Sequence, residues 1–154
     1  MKIREWNEQY SEISKKYDAL YHKVAVKYGF SDMQHWILYV LYSEENRPHT
    51  QNEMAAVFGM PKQTLNSAIG KLRDAGYVTL TQLPGPRNNK AVVLTEAGTA
   101  VCENCVAPLL AAEDRALAQM SDEENELFLR LSQKRYRMFR EEILKLLEED
   151  TDEA

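Results

Sequence analysis

The sequence predicts a mainly α-helical fold that carries one small β-hairpin, and three observations predict it. Apolar residues recur at helical spacing through most of the 154 residues. Ser/Thr-x-x-Glu/Gln boxes, in which two side chains satisfy free backbone N–H groups, stand at three of the helix starts. Only two short β-rich runs occur, and a Pro/Gly/Asn-rich stretch joins them.

In chain order, residues 5–28 form the first helix, with Trp6, Tyr10, Ile13, Tyr17, Leu20, Val24 and Tyr28 alternating at steps of three and four. Tyr21 broadens that stripe. It packs on its own domain or, as its aromatics favour, on a second subunit. Gly29 ends it. Ser31-x-x-Gln34 starts a second helix over residues 32–45, with Met33, Trp36, Ile37, Val40 and Leu41 inward and His35, Tyr39 and Tyr42 flanking.

Thr50-x-x-Glu53 opens a short third helix whose Met54, Ala55, Val57 and Phe58 form one buried face. Gly59-Met60-Pro61 breaks it, with Pro61 setting the first turn of the next helix. That fourth helix buries Leu65, Ala68, Ile69 and Leu72 and stops at Ala75-Gly76. Its other face, Lys62, Gln63, Thr64, Asn66, Ser67 and Lys71, is polar and basic and holds no acid. Such a face suits a DNA major groove, where donors and amides pair with base edges and nothing repels phosphate.

The β-runs, residues 77–81 and 91–94, complete a winged helix-turn-helix. Arg87 and Lys90 fall near the hairpin tip, in reach of phosphate or the minor groove. Thr95-Glu96-Ala97-Gly98 opens a long helix to about residue 120, with Val101, Cys105, Leu109 and Ala112 inward and a kink at Pro108. Ser121-x-x-Glu124 starts the last helix, to about residue 149. Leu127, Phe128, Leu131, Met138, Phe139, Ile143, Leu146 and Leu147 supply its apolar positions. Lys134, Arg135, Arg137 and Arg140 form a basic, solvated or ion-paired cluster on it.

The net charge of −5 looks wrong for a nucleic-acid binder until it is mapped. Residues 47–95 hold six cations against two anions, Glu53 and Asp74, so the rest of the chain carries the acid excess. The local patch, not the chain average, faces phosphate. No apolar run of about 18 residues occurs, so no membrane span is expected. The charged, aromatic start reads as no secretory signal, and the two cysteines make no disulfide framework; the setting this implies is the cytoplasm.

No Ser/His/Asp set, phosphate loop or defined carboxylate pair points to an enzyme, and no cofactor is implied. His22 and His35 lack Cys or acidic partners at ligand spacing, so no metal site is expected. Cys102-Glu103-Asn104-Cys105 is read two ways: Cys102 and Cys105 act as a redox switch, or they are small buried hydrophobes. A protein-interaction module that has lost DNA binding is a third reading, against which the acid-free polar face argues.

The order of elements, together with Thr64-Leu65-Asn66-Ser67, the run from Lys71 to Val78 and Leu94-Thr95-Glu96-Ala97-Gly98, resembles the MarR (multiple antibiotic resistance regulator) family of bacterial transcription factors over nearly the full length. The resemblance implies a homodimeric repressor on pseudo-palindromic double-stranded DNA, released by a small aromatic or phenolic effector. It implies a helical dimerisation region from residues 1–30 and 96–150, a DNA-binding lobe at 31–95 and an acidic tail at 150–154. DNA contacts are then expected from Thr50, Lys62, Gln63, Thr64, Asn66, Ser67, Lys71, Arg87 and Lys90. Two departures stand out. Ser67 replaces a frequent basic residue, and Pro86-Arg87-Asn88 lacks the acid of the usual Asp-x-Arg wing. Tyr17, Tyr21, Trp36 and Tyr39 are candidates for an aromatic ligand pocket, and core packing explains them equally well.

Overall fold

The computed structural model describes residues 2–85 and 90–149. The chain divides into two compact units, Met1–Ala111 and Ala112–Ala154. In the first unit the elements run α1 (Ile3–Lys27), α2 (Asp32–Ser43), β1 (His49–Thr50), α3 (Gln51–Phe58), α4 (Lys62–Asp74), β2 (Val78–Gln82), β3 (Lys90–Leu94) and α5 (Glu96–Cys105). Helix α6 (Ala107–Leu117) crosses the boundary, and α7 (Asp122–Glu149) fills most of the second unit. The architecture is mostly helical with one small antiparallel sheet, as the sequence predicts.

Local chemistry sets the helix ends. The Ser31 hydroxyl accepts from the Gln34 N–H while the Gln34 carboxamide accepts from the Ser31 N–H. Thr50 and Glu53 repeat the arrangement at α3, and Ser121 and Glu124 repeat it at α7. Gly59 closes α3 at φ +58°, a left-handed conformation that glycine adopts without strain, and the Met60 N–H returns to the Ala55 carbonyl. Pro61 caps α4 from just outside its first turn rather than within it.

Strand order in the sheet is β1-β3-β2, with His49 opposite Val92 and Leu80 also opposite Val92. The two-residue β1 is absent from the sequence reading, and β2 starts one residue later than expected. The Tyr77 carbonyl takes the Thr95 N–H at 3.0 Å, one step beyond the Val78–Leu94 pair, where α5 begins. Gly98, on the first turn of α5, lies so close that a Cβ built there would meet the Tyr77 carbonyl oxygen at 1.9 Å. The wing and α5 are therefore joined by backbone contact that only glycine permits.

One core joins Ile37, Leu38 and Leu41 of α2, Met54 of α3, Leu65, Ile69 and Leu72 of α4, Val92 of β3 and Cys102 of α5. Two predicted faces are turned. In α2, His35 and Leu38 are buried while Met33, Trp36 and Val40 are half-buried, because α4 and α5 both pack on this helix and widen its inner stripe. In α3, Val57 is 67% exposed and Met54 alone is fully buried. The kink expected at Pro108 is a break: α5 ends at Cys105 and α6 starts at Ala107. Within that stretch Cys102, Cys105 and Val106 are buried, while Ala112 is exposed.

No helix among the described residues is long and apolar enough to cross a membrane.

Candidate nucleic-acid interface

Helix α4 turns Leu65, Ala68, Ile69 and Leu72 into the core, which leaves Lys62, Gln63, Thr64, Asn66, Ser67 and Lys71 exposed. At 100° per residue the exposed face has three ridges. Gln63, Ser67, Gly70 and Asp74 run along its middle. Lys62, Asn66 and Arg73 line one edge, and Thr64 and Lys71 the other. The sequence-predicted residues are thus brought onto one surface, and Arg73 joins them. Asp74 marks its acidic end, with Arg73 Nη2 3.5 Å from the Asp74 carboxylate.

Thr50 is placed differently. Its hydroxyl accepts from the Glu53 N–H at 3.1 Å and donates to the Glu53 carboxylate at 3.0 Å, so it serves first as the cap of α3. The Thr50 backbone N–H, donating to the Glu53 carboxylate at 2.7 Å, and then the Thr50 hydroxyl hold that carboxyl below the usual carboxylate range. Lys90 is exposed at the start of β3, opposite Gln82. Arg87 lies outside the described residues. At the upstream edge of the basic window, Glu44 offsets Arg47 at 3.4 Å and also takes the buried His49 ring at 3.1 Å.

Beside this face the first unit holds a cleft of about 860 Å³. One wall is Asp18, Tyr21 and His22 of α1 with Asp32, His35 and Trp36 of α2. The other is Met60 with Gln63, Thr64, Ser67 and Lys71 of α4. Of the four aromatic pocket candidates, Tyr21 and Trp36 line the cleft, with ring centroids 4.8 Å apart. Tyr39 packs edge-on against Trp36 at 5.3 Å and does not line it, and Tyr17 is exposed on α1. His22 Nδ1 is 2.7 Å from the Asp32 carboxylate, a pair ten residues apart that ligand-spacing rules do not reveal. His35 is 2% exposed, and burial pushes its imidazole below the ordinary range.

Cys102 and Cys105 are buried side by side. The Cys102 thiol lies 3.9 Å from the Leu38 carbonyl, and its hydrogen bond to Cys105, with burial, pushes it up. Among the described residues no group of three or more His, Cys, Asp or Glu is placed to hold a metal ion.

Comparison with known proteins bears out the resemblance read from the sequence. The MarR family model matches residues 28–87, which covers α2, the helix-turn-helix and the first wing strand. A MepR–DNA complex of Staphylococcus aureus superposes with a TM-score of 0.72 at 19% identity, over 87% of this chain and 96% of that one. A MarR family regulator of Neisseria meningitidis, NMB1585, gives 0.70 at 20% identity, over 86% and 93%. Staphylococcus aureus MarR in complex with salicylate and kanamycin gives 0.71 at 16%, over 90% and 92%. No curated protein matches the sequence.

Proposed function

We propose, from a chain whose residues 28–87 match the MarR family, that it is a DNA-binding transcription regulator. It acts as a homodimer on double-stranded DNA, with α4 in the major groove and the wing at the backbone or minor groove. The observation that carries this is the division of α4: four apolar side chains are committed to the core, and amide, hydroxyl and basic groups stand on the opposite side. Gln63 and Asn66 are the base-reading residues. Lys62, Lys71, Arg87 and Lys90 supply phosphate contacts.

The dimer reading rests on apolar faces that solvent should not meet. On α1, Ile13, Tyr17 and Leu20 are each more than half exposed, and on α7 so are Phe128, Leu131, Phe139 and Leu147. Exposed large apolar side chains gathered on a helix in this way are expected at a subunit interface. Two recognition helices of a dimer meet successive major grooves about 34 Å apart. A ligand that binds one helix spacing better than the other shifts DNA affinity by its differential binding. We place such an effector in the cleft beside α4; that a Staphylococcus aureus MarR of the same fold forms a complex with salicylate supports a small aromatic ligand, not its position.

Selection of bound duplexes from a random pool, at two salt concentrations, tests the reading. Enrichment of an inverted repeat with half-sites one turn apart supports it. Absence of binding at both salts, by protein shown to be a folded dimer, overturns it.

A further inference from the structure

Glycine inside a helix destabilises it relative to alanine, so a mid-helix glycine calls for a reason. All six glycines of the chain fall among the described residues, and five have a reason within the protein. Gly29, Gly59, Gly76 and Gly85 take positive φ, and Gly98 presses on the Tyr77 backbone. Gly70 has neither. It lies in regular helix within α4, and a Cβ built on it meets nothing within 4 Å.

Its position supplies a reason from outside. Gly70 is partly exposed on the middle ridge of α4, one turn beyond Asn66 and two turns beyond Gln63. Those offsets are about 6 and 10 Å along the axis. The cleft beside α4 is lined by Gln63, Thr64, Ser67, Ala68 and Lys71 but not by Gly70, so the open space over Gly70 faces outward and is no part of that cavity. Gly70 has no charge, amide or hydroxyl to offer a partner. What it offers is room. A helix with its side chains is about 10–12 Å across, while its Cα atoms lie only about 2.3 Å from the axis. A missing side chain therefore lets a partner approach closer by most of a side chain's length, in a major groove only about 12 Å wide.

Resting on the reading of α4 as the helix in the major groove, we propose that Gly70 sets the depth of docking, its bare Cα lying against the base-pair edges on the groove floor. Asn66 makes that depth necessary. Its carboxamide stands on a single methylene, so it reaches a base edge only when the helix backbone comes close. Position 70 thus determines specificity without reading a base: a side chain there would hold Gln63 and Asn66 away from theirs.

Binding titrations of full-length wild type, Gly70→Ala and Gly70→Leu, against the duplex selected from the random pool and a scrambled duplex, test this. Affinity for the selected duplex is expected to fall about tenfold with alanine and further with leucine. Binding to the scrambled duplex, held by phosphate contacts, should change less than about twofold. Alanine and leucine are both good helix formers, so thermal melts taken alongside should show no loss of fold. Wild-type affinity for the selected duplex in both variants overturns the proposal and leaves α4 as the reading helix. Equal losses for alanine and leucine also overturn it, since they follow helix stiffening rather than side-chain size. So do parallel losses on the two duplexes. Failure of the wild-type chain, shown to be a folded dimer, to bind any duplex overturns the reading of α4 itself.

Discussion

The side chain of Asn46 holds the backbone of Leu94 from both sides, its Nδ2 donating to the Leu94 carbonyl at 3.3 Å and its Oδ1 accepting the Leu94 N–H at 2.7 Å. Strand β1 pairs with β3 only at Val92 and Ala91, so beyond them the outer edge of β3 has no strand beside it. Asn46 supplies the missing pairing from the loop before β1. It does so at φ +58°, a conformation that Asn tolerates better than most residues. Asn46→Ala should leave two part-buried backbone groups unpaired and lower the unfolding free energy by about 1–3 kcal/mol. Urea titration reads this directly; a change within error would show that water replaces the amide.

Gly98 and Gly70 make a contrasting pair. Alanine at Gly98 must push the start of α5 away from the Tyr77 backbone, which cannot yield as a flexible side chain can. A loss of about 3 kcal/mol is expected, at the upper end of overpacking costs. Gly70 lies mid-helix in α4, and nothing stands within 4 Å of its built Cβ. Gly70→Ala should therefore stabilise the fold by up to about 1 kcal/mol. Thermal melts of the two variants should move in opposite directions.

This contrast also shows what sequence patterns carry. The capping boxes at Ser31, Thr50 and Ser121 were legible because each is a bond between a side chain and a backbone group three residues away. The buried and exposed faces of α4 were legible because one strongly amphipathic helix packs on one side. Leu38 was missed and His35 set at the flank because two neighbours cover α2, which a single-face pattern does not express. Strand β1 exists only because β3 lies beside it. The cleft requires residues 18–36 and 60–71 to meet, and no local spacing announces that Asp32 will pair with His22 or that His35 will reach Cys105.

Acid should weaken the fold through His35. Its folded-state pKa is lowered by burial, so the unfolded chain takes up the proton first as pH falls. Stability attributable to this group is complete above the unfolded value, about 6.5, and is lost as pH falls from there toward the lower folded value. Wild type should lose more stability than His35→Asn between pH 7 and pH 5. Parallel losses in the two proteins would show that the ring is solvated.

The thiols should be slow to react. Cys102 is fully buried and its thiol is pushed up by its bond to Cys105; the same bond lowers the Cys105 thiol, but Cys105 is buried too, so a reagent must wait for the fold to open. Disulfide-exchange reagent should modify the native chain at least ~100-fold more slowly than the urea-unfolded chain. Peroxide should correspondingly leave DNA binding unchanged. Rapid modification of two thiols with loss of DNA binding would instead establish the pair as a redox switch.

The ridges of α4 separate two kinds of DNA contact. Gln63, on the middle ridge, and Asn66, on the edge it shares with Lys62, carry carboxamides that can pair bidentately with adenine. Removing either amide should cost about 1–3 kcal/mol on the preferred site and little elsewhere, so discrimination falls. Lys62, exposed in the first turn of α4, and Arg87, near the sequence-predicted wing tip, act instead as point charges for phosphate. Lys62→Ala and Arg87→Ala should weaken all duplexes alike and reduce the magnitude of the salt slope by about one each. Binding titrations of the four variants against the selected site and a scrambled duplex, at several salt concentrations, separate the two classes. If Asn66→Ala and Lys62→Ala gave the same pattern, the helix would be lying across the backbone rather than in the groove. The assignment of α4 as the reading helix would then fall.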